Sequence, residues 1–145
     1  MSDQDFARLS RALVEFAQQL LQRQGEFNPF AMTMGMNGEV AVFVADIGKN
    51  QPTGIELATF LSAAMRARAK QGDLRAWGVC LNVGASLPGY AGKVDAICCQ
   101  LEHASARPVQ IFVPFRKNHL GQLEYDKAIV LSGQPSPFQP HGGSA

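Results

Sequence analysis

The sequence predicts an α+β domain in which two amphipathic helices lie on one face of a mainly antiparallel sheet of about six strands. Two stretches of helical apolar spacing flank an Asn-Gly turn, and four strand-like stretches follow the second helix. Strands joined by short loops usually pair antiparallel, and helices then segregate to one face of the sheet. The length of 145 residues suits a single domain, which we place at residues 1–132.

The first helix is indicated by apolar residues that would form one buried stripe. It is expected to end near Gly25, because glycine readily adopts the left-handed conformation of a helix C-cap. A second amphipathic helix is expected after Pro52, ending at Gly72. The stripe of the first helix consists of Phe6, Leu9, Leu13, Phe16, Ala17 and Leu20.

A β-hairpin is predicted between the helices, with strands at about 30–36 and 39–46. Asn37-Gly38 favours a two-residue turn, in which both residues take positive φ. Met36 would then lie opposite Glu39. One face would carry Phe30, Met32, Met34, Met36, Ala41 and Phe43, and the other Ala31, Thr33, Val40, Val42 and Val44.

Both faces of this hairpin are apolar, whereas a sheet with one wet face alternates apolar and polar residues. If both helices cover one face, the other is left bare, and methionine is common at adaptable binding surfaces. We therefore expect a subunit interface, or an apolar pocket, formed by Phe30, Met32, Met34, Met36 and Phe43.

Four further strands are expected at about 75–83, 94–103, 108–116 and 123–132. The ten-residue segment 84–93 between the first two is interpreted as a lid, a partner-contact loop or a plain connection. The last thirteen residues, 133–145, are rich in Gly, Pro and Ser and are expected to be disordered.

The element order resembles that of the roadblock and profilin-type domains, which begin helix–strand–strand–helix–strand–strand–strand. The resemblance covers nearly all of 1–132, lies in element order rather than in any motif, and carries no catalytic residue across. A terminal helix usual in those families is replaced here by a strand and the loose tail. The sequence also resembles a small bacterial family of unassigned function.

The stretch VDAICCQLEH, residues 94 to 103, concentrates chemically active side chains in one strand. Neighbouring strand residues point to opposite faces, so Cys98 and Cys99 diverge, as do Glu102 and His103. We interpret the cysteines as core thiols. The spacing of histidine, cysteine and acidic residues predicts no metal site, and we expect no cofactor.

Composition limits the function classes. A net charge of +1 argues against nonspecific nucleic-acid binding, and no apolar run is long enough to cross a membrane. The start of the chain shows no secretory signal. An odd count of three cysteines without framework spacing indicates a reducing, cytoplasmic location.

Two functions are consistent with these observations. The first is a non-enzymatic association module of the adaptor, regulatory or immunity type, homodimeric and binding a protein partner. Tyr90, Arg116, Lys117 and His119 would be its loop contacts. The alternative is a small-molecule-binding protein or a modest hydrolase-type enzyme with a pocket between the sheet and the 84–93 segment. Its acid–base candidates would be Glu102, His103 and His119.

Overall fold

The computed structural model describes residues 2–44, 54–104 and 106–132. Its elements are α1 (Ser2–Gln24), β1 (Phe30–Gly35), β2 (Val40–Phe43), α2 (Gly54–Lys70), β3 (Leu74–Ser86), β4 (Lys93–His103), β5 (Ala106–Lys117), β6 (Leu123–Tyr125) and β7 (Ile129–Ser132). The strand order is β2-β1-β3-β4-β5, with β6 and β7 both pairing with β5, and every pairing is antiparallel. The predicted α+β class and element order are confirmed. The predicted disordered tail, 133–145, lies outside the described residues.

The two helices lie on opposite faces of the sheet, which corrects the prediction that they share one face. Leu13 of α1 belongs to an apolar cluster with Met34 and Cys80. Leu61 of α2 belongs to a second cluster with Val79, which neighbours Cys80 in β3 and therefore faces the other way. The central strands are apolar on both sides, so each face is covered by one helix.

The first hairpin turns through three residues rather than two. Gly35 N donates to Glu39 O over 2.9 Å, and Gly38 N donates to Gly35 O over 2.9 Å. Gly38 has a φ of 88°, and no non-glycine residue among those described has a positive φ. A type I turn followed by a left-handed glycine satisfies the same Asn-Gly pair. The turn is therefore longer by one residue than the sequence predicted.

The longer turn shifts the predicted register by one residue. Met34 pairs with Val40 and Met32 with Val42, whereas Ala31 pairs with Phe43. Because side chains alternate between faces, a one-residue shift moves the whole of β2 to the opposite face. The valines of β2 thus share the α1 face with the methionines, and Phe43 lies on the α2 face.

The predicted 84–93 loop is largely strand. β3 and β4 stay paired as far as Ser86 and Lys93, so only residues 87–92 form the connection. Leu87 is buried in the α2-side core, and Tyr90 N donates to Leu87 O over 3.2 Å. The connection is therefore a six-residue hairpin turn anchored in the core, shorter than the ten-residue loop that the sequence predicted.

The predicted strand 123–132 is divided into β6 and β7. The division lies opposite Pro114 of β5, whose carbonyl accepts a hydrogen bond from Asp126 N over 2.9 Å. The N–H and C=O groups of one residue in an antiparallel strand point to the same neighbour. Proline lacks the N–H that would continue the ladder on that side, so the pairing is interrupted there.

Gly78 of β3 is required by close packing against α1. A Cβ at this position would lie 2.6 Å from both Leu101 Cδ2 and Leu13 Cδ1. We expect Gly78→Ala to lower the free energy of unfolding by about 1–3 kcal/mol, because extra volume in a packed core forces neighbours to move. In urea denaturation, Gly84→Ala is the matched control, since its Cβ would meet nothing within 4 Å. An equal loss in both variants would contradict the packing account.

Candidate functional site

The three acid–base candidates from the sequence do not form one cluster: Glu102 and His103 border a common cleft of about 210 Å³ but bond to different partners, and His119 is remote from both. Arg66 Nη2 donates to Glu102 Oε2 over 2.9 Å on the α2 side of the sheet, whereas His103 lies on the α1 side. His119 is in the β5–β6 turn, at the far end of the twelve-residue β5. At ~3.3 Å per residue, this strand separates His119 from His103 by roughly 35 Å. These residues therefore form no common catalytic centre.

His103 instead belongs to a charged cluster with Asp5 of α1 and Arg75 of β3. Arg75 Nη2 donates to Asp5 Oδ1 over 2.8 Å, and His103 Nε2 lies 2.8 Å from Asp5 Oδ2. The hydrogen bond from His103 holds the pKa of Asp5 below its ordinary value, with a further contribution from Arg75 and against the effect of burial. An ionised carboxylate only accepts hydrogen bonds, so His103 Nε2 carries the proton.

This cluster joins the start of α1 to two strands of the sheet. The His103 side chain is only 6% exposed, and its ring packs edge-on against Phe6 with 5.7 Å between ring centroids. Arg75 Nη1 also donates to Met36 O in the hairpin turn over 3.3 Å. A histidine packed in this way has little surface for a substrate, and we assign the cluster a structural role.

The cluster predicts an acid-dependent loss of stability. We expect Asp5→Asn to lower the free energy of unfolding by about 1 kcal/mol at pH 7, because it weakens two charge-assisted hydrogen bonds. The pKa of Asp5 is lowered in the folded state, so its contribution is complete above the unfolded value and is lost as the pH falls through the folded value. Urea denaturation between pH 7 and pH 3 should show the difference between the two proteins shrinking. A constant difference would contradict this assignment.

The predicted methionine interface is already covered within one chain. Phe30, Met32 and Met34 are buried in the cluster that α1 covers. Phe43 packs on the opposite face, beside the α2 cluster. Only Met36 is well exposed, at 61%. The prediction that this face is bare is wrong, because it placed α1 on the other side of the sheet.

An exposed apolar edge lies next to this buried face. We use the term β2 edge for residues 40–44, VAVFV, which comprise β2, the end strand of the sheet beside β1, and Val44, the residue that follows it. Val42 and Val44 are among its exposed residues. The edge has no charged residue and no proline, which are the usual protections of an edge strand against pairing with another chain.

The opposite edge of the sheet has those protections. It is formed by two short strands, β6 and β7, separated by Asp126, Lys127 and Ala128. Glu124 in β6 is paired with Arg116, whose Nη2 lies 3.0 Å from Glu124 Oε1. Short strands, an interruption and charged side chains all hinder edge-to-edge pairing. The two edges therefore differ in the feature that controls strand association.

An apolar groove of about 210 Å³ adjoins the β2 edge. It opens between the end of α1 and the start of β1. Because the groove and the edge share Val44, the groove continues the apolar surface of the edge. Its other lining residues are Phe16, Leu20, Gln24, Phe27, Asn28, Pro29 and Phe30.

Two of the predicted loop contacts meet through Asp126, a contact that the sequence did not predict. Tyr90 Oη donates to Asp126 Oδ2 over 2.6 Å, and this hydrogen bond raises the pKa of Tyr90. Arg116 Nη1 lies 3.8 Å from Asp126 Oδ1. Lys117 and His119 lie on the same β5–β6 hairpin as Arg116 but do not take part in this contact.

A second cleft, which we call the hairpin cleft, lies between the end of α1 and the β5–β6 hairpin. It measures about 600 Å³. The hairpin tip is held by Asn118, whose Oδ1 accepts hydrogen bonds from Leu120 N and Gln122 N over 2.9 and 3.0 Å. Leu120 at the tip is 70% exposed. The cleft is lined by Leu21, Gln22, Gly25, Lys117, Gly121, Gln122, Leu123 and Tyr125.

The three cysteines are free and buried, which confirms their interpretation as core thiols. Among the described residues, no three histidine, cysteine, aspartate or glutamate side chains come together as metal ligands would. Nor does any helix in that part of the chain combine the length and the apolar character needed to cross a membrane.

Comparison with known proteins adds no family to this description. Neither a protein-family model nor a curated protein nor a solved structure matches the chain. The likeness to roadblock and profilin-type domains thus remains one of element order.

Proposed function

We propose that the chain is a non-enzymatic association module that forms a homodimer through the β2 edge and binds a protein partner at the hairpin cleft. The uncharged edge strand supports the homodimer, and the exposed hairpin tip held by Asn118 beside a cleft supports the partner site. We also propose a cytoplasmic location, since buried free thiols are typical of proteins in a reducing compartment.

The β2 edge is suited to antiparallel pairing with a second copy. Gly35 N donates to Glu39 O, so by alternation along the register Ala41 directs its N–H and C=O groups inward to Thr33. Val40 and Val42, and Val44 where the strand is continued by one residue, then direct theirs outward. A two-fold axis at Val42 would pair Val42 with its own copy and Val40 with Val44 of the second chain. Such symmetric, isologous contacts are the commonest form of oligomer.

The chemistry of the edge also favours a second copy. Residues 40–44 have no charge, so the two-fold pairing opposes no like charges. Val40 of the second chain would lie opposite Val44, next to the groove of about 210 Å³. Dimerisation would thus remove exposed valine surface from water on the α1 face, which is the main favourable term in association.

Sedimentation equilibrium over a micromolar concentration range tests the dimer. We expect a molar mass near twice the chain mass of 15.6 kDa, falling towards the chain mass on dilution. A molar mass of one chain throughout this range would contradict the proposal.

The partner site that we propose combines the hairpin tip with the hairpin cleft. Leu120 offers an exposed apolar contact, and Lys117, which lines the cleft, places a positive charge beside it. An apolar anchor next to a charged rim is typical of protein-binding surfaces. We therefore propose an acidic peptide segment with a large apolar side chain that enters the cleft.

Selection from a random peptide library displayed on phage tests this partner class. Peptides rich in Asp and Glu around an aromatic or leucine residue are expected, with binding weakened about tenfold by Lys117→Glu or Leu120→Ser. Lys93→Glu, at an exposed position in the β3–β4 hairpin, is the control. No enrichment, or enriched peptides that bind all three variants equally, would contradict the proposed site.

A further inference from the structure

Cys80 of β3 and Cys99 of β4 are direct neighbours across the two central strands. They are paired in the strand register, and opposite Cα atoms in an antiparallel pair lie ~4.5–5.5 Å apart. This separation is within the ~4.4–6.8 Å that a disulfide requires. The two Sγ atoms are 3.7 Å apart, in the cluster that α1 covers.

Cys98 provides an internal contrast. It is adjacent to Cys99 in sequence and is equally buried, but it points to the α2 face. The residues opposite Cys98 are Leu81 in β3 and Phe112 in β5. The register therefore brings Cys80 together with Cys99 and not with Cys98.

We propose that Cys80 and Cys99 form an internal cross-strand disulfide when the chain meets a low-molecular-weight disulfide as oxidant. One cysteine thiolate attacks a sulfur of the oxidant and releases one small thiol. The second cysteine then attacks the protein sulfur of this mixed disulfide, forming the Sγ–Sγ bond and releasing a second small thiol. Two electrons and two protons pass from the protein to the oxidant, which leaves as two thiol molecules.

The position of the pair sets the conditions for this reaction. Both cysteines are fully buried, and burial raises the pKa of the Cys80 thiol well above its ordinary value. Only the thiolate attacks a disulfide. The bond therefore forms from states in which α1 has moved off its face of the sheet, and formation is faster in urea concentrations just below the unfolding transition.

The test compares two single variants that each retain two cysteines. Cys98→Ala retains Cys80 and Cys99, and Cys99→Ala retains Cys80 and Cys98. Both are incubated with oxidised glutathione, once in urea below the transition and once fully unfolded. An internal disulfide is detected as a mass lower by two hydrogen atoms, and as a link between tryptic peptides 76–93 and 94–116.

Below the unfolding transition, we expect the Cys98→Ala variant to form its internal disulfide at least ~10-fold faster than the Cys99→Ala variant. The two should close at about the same rate when unfolded, because their loops differ by one residue and closure depends weakly on loop length. Equal rates below the transition, or no internal bond in Cys98→Ala, would overturn the proposal. If a variant does not fold, the unmodified protein decides, since alkylation in denaturant after oxidation should then label only Cys98.

Discussion

Replacing Val42 with lysine is expected to convert the proposed dimer into a monomer. Val42 lies at the centre of the two-fold pairing inferred for the β2 edge, and its side chain is half exposed in the single chain. Pairing would bury a lysine there beside its own symmetry copy, without an opposite charge. Burying an unpaired charge costs several kcal/mol, so the dimer dissociation constant should rise by about 100-fold or more.

Val130→Lys is the matched control. Val130 belongs to β7, on the edge that we regard as protected, and is exposed to a similar extent, 58% against 48% for Val42. Sedimentation of the two variants at one concentration should give a single-chain mass for Val42→Lys and an unchanged mass for Val130→Lys. The same mass for both variants would mean that the β2 edge is not the contact.

Met34→Ala is expected to lower the free energy of unfolding by about 2–5 kcal/mol, whereas Met36→Ala should change it by less than about 0.5 kcal/mol. Met34 is fully buried beneath α1, and its truncation leaves a cavity. Met36, two residues away, is in the turn and is 61% exposed. Urea denaturation of the two variants measures the difference.

These two variants distinguish a methionine face covered by α1 from a methionine face left bare. If the methionine side were bare, as the sequence reading predicted, both substitutions would be mild in the single chain, and both would affect self-association instead. A small, equal effect on unfolding would therefore contradict the position of α1. A loss confined to Met34→Ala would support it.

The sequence was sufficient for the helices because each is defined by local spacing. The stripe of Leu9, Leu13 and Ala17 is buried as expected, and Gly25 and Gly72 have the positive φ of C-caps. Local spacing did not show which face of the sheet each helix covers. It depends on contacts between elements distant in the chain, and two apolar faces give no indication of which helix covers which.

The hairpin register shows a second limit. Asn-Gly suits a two-residue turn and also a three-residue turn that ends in a left-handed glycine. The side chain of Asn37 contributes here by accepting a hydrogen bond from Glu39 N over 3.0 Å. Residue types at the turn did not distinguish these forms, and the difference of one residue moved Phe43 to the other face.

The sequence predicted only part of the charged cluster of Asp5, Arg75 and His103. His103 was noticed, but Asp5 was not, because 98 positions separate these partners in the chain. One signal was present: Asp5 continues the buried stripe of Leu9, Leu13 and Ala17 at four-residue spacing, and a carboxylate on a buried stripe requires a partner. The uncharged stretch VAVFV was likewise visible, but its pattern indicates a hairpin strand with two apolar faces and does not indicate that the strand lies at an edge.

Hydrogen exchange at the amides of Val40, Val42 and Val44 tests the central claim most directly. These amides point away from β1, and no strand among the described residues pairs on that side, so pairing with a second copy should protect them. We expect Val42 to exchange at least ~100-fold more slowly than a free amide at high protein concentration, with the protection lost on dilution or in Val42→Lys. Free exchange at all three positions at every concentration would contradict an association through the β2 edge.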